Sequence, residues 1–165
     1  MNIRTLKAVA AGSVLAIGLA SGAANAATAD GTARATILQQ VTVTNTSDLQ
    51  FGTVAIGTGG GAVTVATGGG RTCAATLVCS GATTSAGFSV SGATGMNVAI
   101  SVPGSVTLTE TGGGTMAATL ASSATSLTLA GTAADAFRVG GTLNVGATQA
   151  AGAYAGTFTV TVNYQ

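Results

Sequence analysis

The chain has 165 residues, of which 5% are charged, against roughly 25% in an ordinary soluble domain. No basic stripe exists to hold a phosphate backbone, which argues against nucleic acid as a partner. The absence of histidine removes the commonest general base and metal ligand. A hydrophobic content of 47% with a formal net charge of +1 is the reverse of the composition that keeps a chain unfolded.

The first element is read as an export signal: Arg4 and Lys7 precede an apolar run over 8–20, and Ala24-Asn25-Ala26 fits the small-residue pattern cut by signal peptidase. Cleavage is expected between Ala26 and Ala27. A run of 13 residues falls short of the roughly 20 that span a bilayer, so no transmembrane segment is expected in the mature chain. Beyond the signal, Arg34, Arg71 and Arg138 stand against Asp30, Asp48, Glu110 and Asp135, a formal charge of −1 that leaves little repulsion between copies. The expected organisation is a signal peptide over 1–26, an N-terminal extension or donor strand over 27–44, and one domain over 45–165.

In the extension, Ala35, Ile37, Val41 and Val43 share one face of an alternating stretch that Gln39 interrupts. Short runs rich in Val, Ile, Thr and Phe then follow, separated by glycine clusters, and predict strands over 35–44, 49–56, 62–66, 87–91, 97–102, 105–109, 116–121, 126–129, 142–145 and 154–164. This is the pattern of an all-β antiparallel sandwich or barrel. Gly59-Gly60-Gly61, Gly68-Gly69-Gly70 and Gly112-Gly113-Gly114 read as turns, because none carries the lysine and hydroxyl of a phosphate-binding loop. In the oxidising compartment that export implies, Cys73 and Cys79 are expected to form a disulfide. Two buried free thiols are the alternative, and no metal site or cofactor is expected.

The closing stretch is the clearest pattern. Tyr154, Phe158, Val160, Val162 and Tyr164 fall on one face, and Thr157, Thr159, Thr161, Asn163 and Gln165 on the other. An outer-membrane barrel is argued against by run length, since membrane strands need roughly 9–11 alternating residues and two aromatic girdles. Six aromatics cannot line both interfaces.

The segments Leu49-Gln50-Phe51-Gly52-Thr53-Val54, Thr142-Leu143-Asn144-Val145-Gly146-Ala147 and the closing stretch from Gly152 to Tyr164 resemble domain-of-unknown-function family 4402, exported bacterial proteins. The likeness spans 27–165, with the Cys73 to Cys79 stretch as an apparent insertion. The closing segment is also similar to spore-coat-U-like proteins and to pilus subunits assembled by a periplasmic chaperone and an outer-membrane usher. Those end in a glycine fourteenth from the end and a penultimate tyrosine, the places of Gly152 and Tyr164.

The resemblance implies an immunoglobulin-like sandwich completed by a strand from a neighbouring copy, with self-association through strand addition and a chaperone and usher as partners. Ala35, Ile37, Val41 and Val43 would enter the neighbour. Gly152, Tyr154, Phe158, Val160, Val162 and Tyr164 would form the assembly strand. The expected product is a structural subunit of a surface fibre or coat, located in the periplasm, at the cell surface or outside the cell. The alternative is a self-contained sandwich whose first strand pairs within its own chain, acting as a secreted surface-binding or adhesive module. Outward Thr42, Thr44, Thr157, Thr159 and Thr161 would serve that alternative, although threonine also simply suits a solvent-facing strand. No enzyme is expected: Asp48, Glu110 and Asp135 each sit beside a turn signal, where a solvated carboxylate needs no catalytic explanation.

Overall fold

The computed structural model describes residues 26–165, and the expected export signal before Ala26 lies outside the described residues. The chain divides into a unit ending at Ala35 and a compact one of Thr36–Gln165. In the first, 26–35 carries neither helix nor strand and is exposed throughout, Ala26 and Ala27 included.

The second unit is an antiparallel β-sandwich with no helix. Its strands are β1 (Thr42–Ser47), β2 (Thr53–Ile56), β3 (Gly61–Val65), β4 (Arg71–Cys73), β5 (Leu77–Ser80) and β6 (Ala86–Ser91). The second half holds β7 (Asn97–Ser101), β8 (Ser105–Thr109), β9 (Thr115–Ser122), β10 (Ser126–Thr128), β11 (Ala136–Val145) and β12 (Thr161–Tyr164). A seven-stranded sheet is ordered β1-β6-β11-β3-β4, with β9 on β11 and β8 on β9. A three-stranded sheet is ordered β10-β7-β12, and β2-β5 form a two-stranded sheet.

The ten-residue β11 organises the large sheet. Along one edge it pairs first with β6, from Ala136 opposite Ser89 to Val139 opposite Ala86, and then with β3, from Gly141 opposite Val65 to Val145 opposite Gly61. Its other edge carries β9. Gly140 marks the change of neighbour from β6 to β3: a Cβ there would run into the Val65 carbonyl and lie 2.8 Å from the Thr67 nitrogen. Gly140 and Gly141 thus lie in the middle of the central strand, and the predicted strand 142–145 begins six residues earlier, at Ala136.

Alternation along β11 aims Phe137, Val139, Leu143 and Val145 to one side, where they feed two cores. The first gathers Ala86, Phe88, Val90, Val98, Ile100, Leu129, Phe137, Val139 and Val162 from the large sheet and the β10-β7-β12 sheet. The second gathers Phe51, Val63, Val65, Leu77, Ala118, Leu143 and Val145. Burial of each Val, Leu or Phe contributes roughly 1.5–3 kcal/mol, so these two cores are the main source of the body's stability. Phe88 stacks on Phe137 with centroids 5.2 Å apart and receives the edge of Phe158 at 6.1 Å.

Two expectations need correction. The boundary at 44/45 falls inside β1, where Thr42, Val43 and Thr44 pair with Ser91, Val90 and Ser89 of the same chain. The 154–164 strand forms a ladder over Thr161–Tyr164 alone, with one further bridge between Ala155 and Thr109. Its alternation nonetheless holds: Phe158, Val160 and Tyr164 are half-buried, Val162 is buried, and Thr157, Thr159, Thr161, Asn163 and Gln165 are exposed.

Candidate functional site: an unfilled groove

Residues 156–160 are extended because their side chains alternate between core and solvent, yet among the described residues they join no ladder or bridge. Gly156 is pressed against β8, where a Cβ would meet the Thr107 carbonyl, so only glycine fits at this approach. Beside the segment the fold is open. One hollow of about 940 Å³ lies between 49–56 and 149–154, over Leu108, Met116, Leu143 and Val145. A second of about 610 Å³ lies between 45–51 and 154–158, over Ala86, Phe88, Val106 and Leu108. They share Leu49, Gln50, Phe51, Leu108 and Tyr154, so together they make one groove with antiparallel walls.

The floor explains a departure from simple patterning. Val106 and Leu108 alternate correctly along β8 but are only half-buried, because the groove lies above them. The walls are held from behind. The Tyr154 hydroxyl donates to the Ala150 carbonyl at 2.9 Å and accepts from the Gln149 amide at 2.7 Å, while Gln149 also donates to the Thr115 carbonyl. Gly152 packs on the Glu110 side chain so closely that a Cβ would collide with it. On the other wall β2 pairs with β5, Thr53 to Ile56 opposite Ser80 to Leu77.

The remaining expected residues separate into those in the body and those outside it. Val41 packs against the first core, and Val43 lies in β1 opposite Val90. Among the described residues Ala35 and Ile37 join no ladder or bridge; Ile37 is 95% exposed, which a large aliphatic side chain reaches only when no core holds it. Cys73 and Cys79 are bonded, with Cα atoms 6.2 Å apart, and no free cysteine remains. Thr42, Thr44, Thr157, Thr159 and Thr161 are exposed.

The carboxylates serve local structure. Asp135, 4% exposed, accepts from the backbone N–H groups of Ala130, Gly131 and Thr132 at 2.9, 2.7 and 3.2 Å. The Ala130 hydrogen bond chiefly holds its pKa below the ordinary range. Burial opposes that shift, and Gly131 and Thr132 add to it. Among the described residues no three of Cys, Asp and Glu are grouped to hold a metal, and no helix is long and apolar enough to cross a membrane.

Sequence reading missed Arg71. Its guanidinium donates to the carbonyls of Ser80, Gly81 and Cys79 at 2.8, 3.1 and 3.3 Å, latching β5 and its turn to β4. Its three acceptors are backbone oxygens, so no acidic partner in the sequence advertised the contact. No curated protein and no solved structure matches the chain. The model of a domain of unknown function, DUF4402, matches residues 41–164, and the chain belongs to that family.

Proposed function

We propose that the chain is an exported structural subunit of a bacterial surface fibre or coat, and that copies join by β-strand addition. The observation that carries this reading is a groove and a segment of matching form. The groove has an apolar floor of Leu108, Met116, Leu143 and Val145 under mixed walls from 45–56 and 149–158. It borders 156–158, part of a stretch that joins no ladder or bridge among the described residues. The segment is 27–37, where every odd position is Ala, Gly or Ile and every even one is Thr, Asp or Arg. Among the described residues it joins no ladder.

An alternating segment of eleven residues spans roughly 36 Å when extended. Laid along 156–160, it would give that backbone its missing partners and bury Ile37. Its odd residues are mostly methyl-sized, so they suit a shallow groove rather than deep pockets. Both halves of the joint would then be exposed in a lone subunit, which calls for a periplasmic chaperone until assembly at an outer-membrane usher.

The test compares the chain from Ala27 with a form lacking 27–38, which retains Gln39 and β1. Unheated and boiled samples are run on denaturing gels, and both are imaged by negative stain. The expected result is a heat-sensitive ladder or fibres from the longer form and folded monomer from the shorter one. A compact monomer from both, purified with the assembly machinery co-expressed, rejects strand addition and leaves a self-contained sandwich.

A further inference from the structure

The wall of the groove formed by β2 is tied to the body by an indirect route. The ladder partner of β2 is β5, and β5 pairs with no strand of the large sheet. The disulfide spans that break. Cys73 stands opposite Val63, a core residue with no exposure, and Cys79 stands opposite Val54, which lines the larger hollow.

We infer that the Cys73–Cys79 bond holds β2 in place as a wall of the groove, so that opening the bond loosens that wall while the rest of the sandwich stays folded. The identity of the groove's occupant rests on the strand-addition reading; the control of the wall does not. A bond closing so short a loop removes little entropy from the unfolded chain, so its effect is local. With the bond open, β5 keeps the Arg71 latch, buried Leu77 and the Thr76 hydroxyl on the Gly60 carbonyl. The lead-in to β2 keeps buried Phe51 and the Gln50–Thr84 bridge, but among the described residues β2 itself has no ladder to the large sheet. The Arg71 bonds are largely in water, and such bonds contribute little net stability. Val78 adds nothing, being 63% exposed on the outer face. A weakly tied two-stranded sheet is the kind of element that opens locally before the whole fold does.

Both cysteines are half-buried, within reach of a small dithiol. Its thiolate attacks one sulfur to form a mixed disulfide, and its second thiolate then displaces the protein sulfur. The chain is left with two thiols that have taken up two electrons, and the reductant, having given them up, becomes a cyclic disulfide. A disulfide oxidant in the exporting compartment reverses the exchange. A subunit would therefore have a complete groove only after the bond has closed.

The experiment measures amide hydrogen exchange of the full chain, oxidised and after dithiothreitol, with a Cys73→Ser/Cys79→Ser variant as the permanently open form. A fluorescent peptide of residues 27–41 is titrated into each. Opening the bond is expected to speed exchange at Val54, Ala55 and Ile56 at least tenfold, to leave Val98 and Ile100 of β7 unchanged, and to weaken peptide binding at least tenfold. Unchanged exchange in β2, equal acceleration in β7, or equal peptide affinity in both states would each overturn the inference. Faster exchange confined to β2 with no peptide bound by either form would support the control of the wall and retire strand addition.

Discussion

The Tyr164 hydroxyl donates to the Gln39 carbonyl at 2.7 Å, joining β12 to the lead-in of β1 across 125 positions of sequence. The same oxygen accepts from the Ala93 N–H at 2.7 Å, just beyond β6. One side chain thus ties together the two ends of the sandwich unit and a corner of its large sheet. Gly92 makes room for it, since a Cβ there would lie 2.5 Å from the hydroxyl.

Tyr164→Phe keeps the ring and leaves the Ala93 N–H and Gln39 carbonyl without this partner. It is expected to cost about 1–3 kcal/mol in urea denaturation. Tyr164→Ala also loses the ring's packing, for a total of about 3–5 kcal/mol, and is expected to abolish accumulation of the exported protein. A Tyr164→Phe variant as stable as the parent would mean that packing alone sets the role of this residue.

Asp135 gives acid sensitivity of a definite sign. Its folded pKa lies below the ordinary 3.8, so its contribution is complete above that value and is lost as pH falls through the folded pKa. Asp135→Asn should lower the urea midpoint at pH 7, and the gap between variant and parent should narrow below about pH 4. A gap that stays constant down to pH 2 would contradict the assignment.

Gly140→Ala and Gly70→Ala form a matched pair. At Gly140 the added methyl meets backbone of the β3 end, which cannot step aside without breaking the central ladder, so destabilisation of about 3 kcal/mol or more is expected. At Gly70 nothing lies within 4 Å, and the change should stay within about 1 kcal/mol. Thermal denaturation of both variants reads the difference, and similar melting temperatures would count against the switch of neighbours at Gly140.

Trypsin offers a direct report on the N-terminal segment. Lysine is absent beyond Lys7, so Arg34, Arg71 and Arg138 are the cleavage points after the expected signal. Arg34 is exposed outside any strand, whereas Arg71 and Arg138 lie in β4 and β11. Monomer should be cut rapidly after Arg34 and stay otherwise intact, and assembled material should resist at all three. Rapid loss of 27–34 from an undisturbed ladder would exclude this segment from the joint.

Much of the strand pattern was legible because alternation is a local property. Ser105–Thr109 reads Val106 and Leu108 inward with Ser and Thr outward, and it forms a strand with those bounds. The inward face of Phe158, Val160, Val162 and Tyr164 was equally plain. What escaped was pairing. Arg71–Cys73 and Leu77–Ser80 are too short for a period to show, and the predicted strand 142–145 missed 136–141 because the need for glycine at 140, a close backbone neighbour, is set by a segment distant in sequence.

The amino-acid sequence alone settled that the chain is all-β, with few charges, no histidine and one pair of cysteines, since composition and period-two patterning need no knowledge of neighbours. It also marked Ile37 and Tyr164 as residues to follow. Only the tertiary structure decided that Val43 belongs to β1 and pairs with its own β6, while among the described residues 156–160 joins no ladder and its first part borders an open groove. A strand's hydrogen bonds are satisfied by segments distant in sequence, and which segment pairs with which leaves no mark in the strand's own alternation.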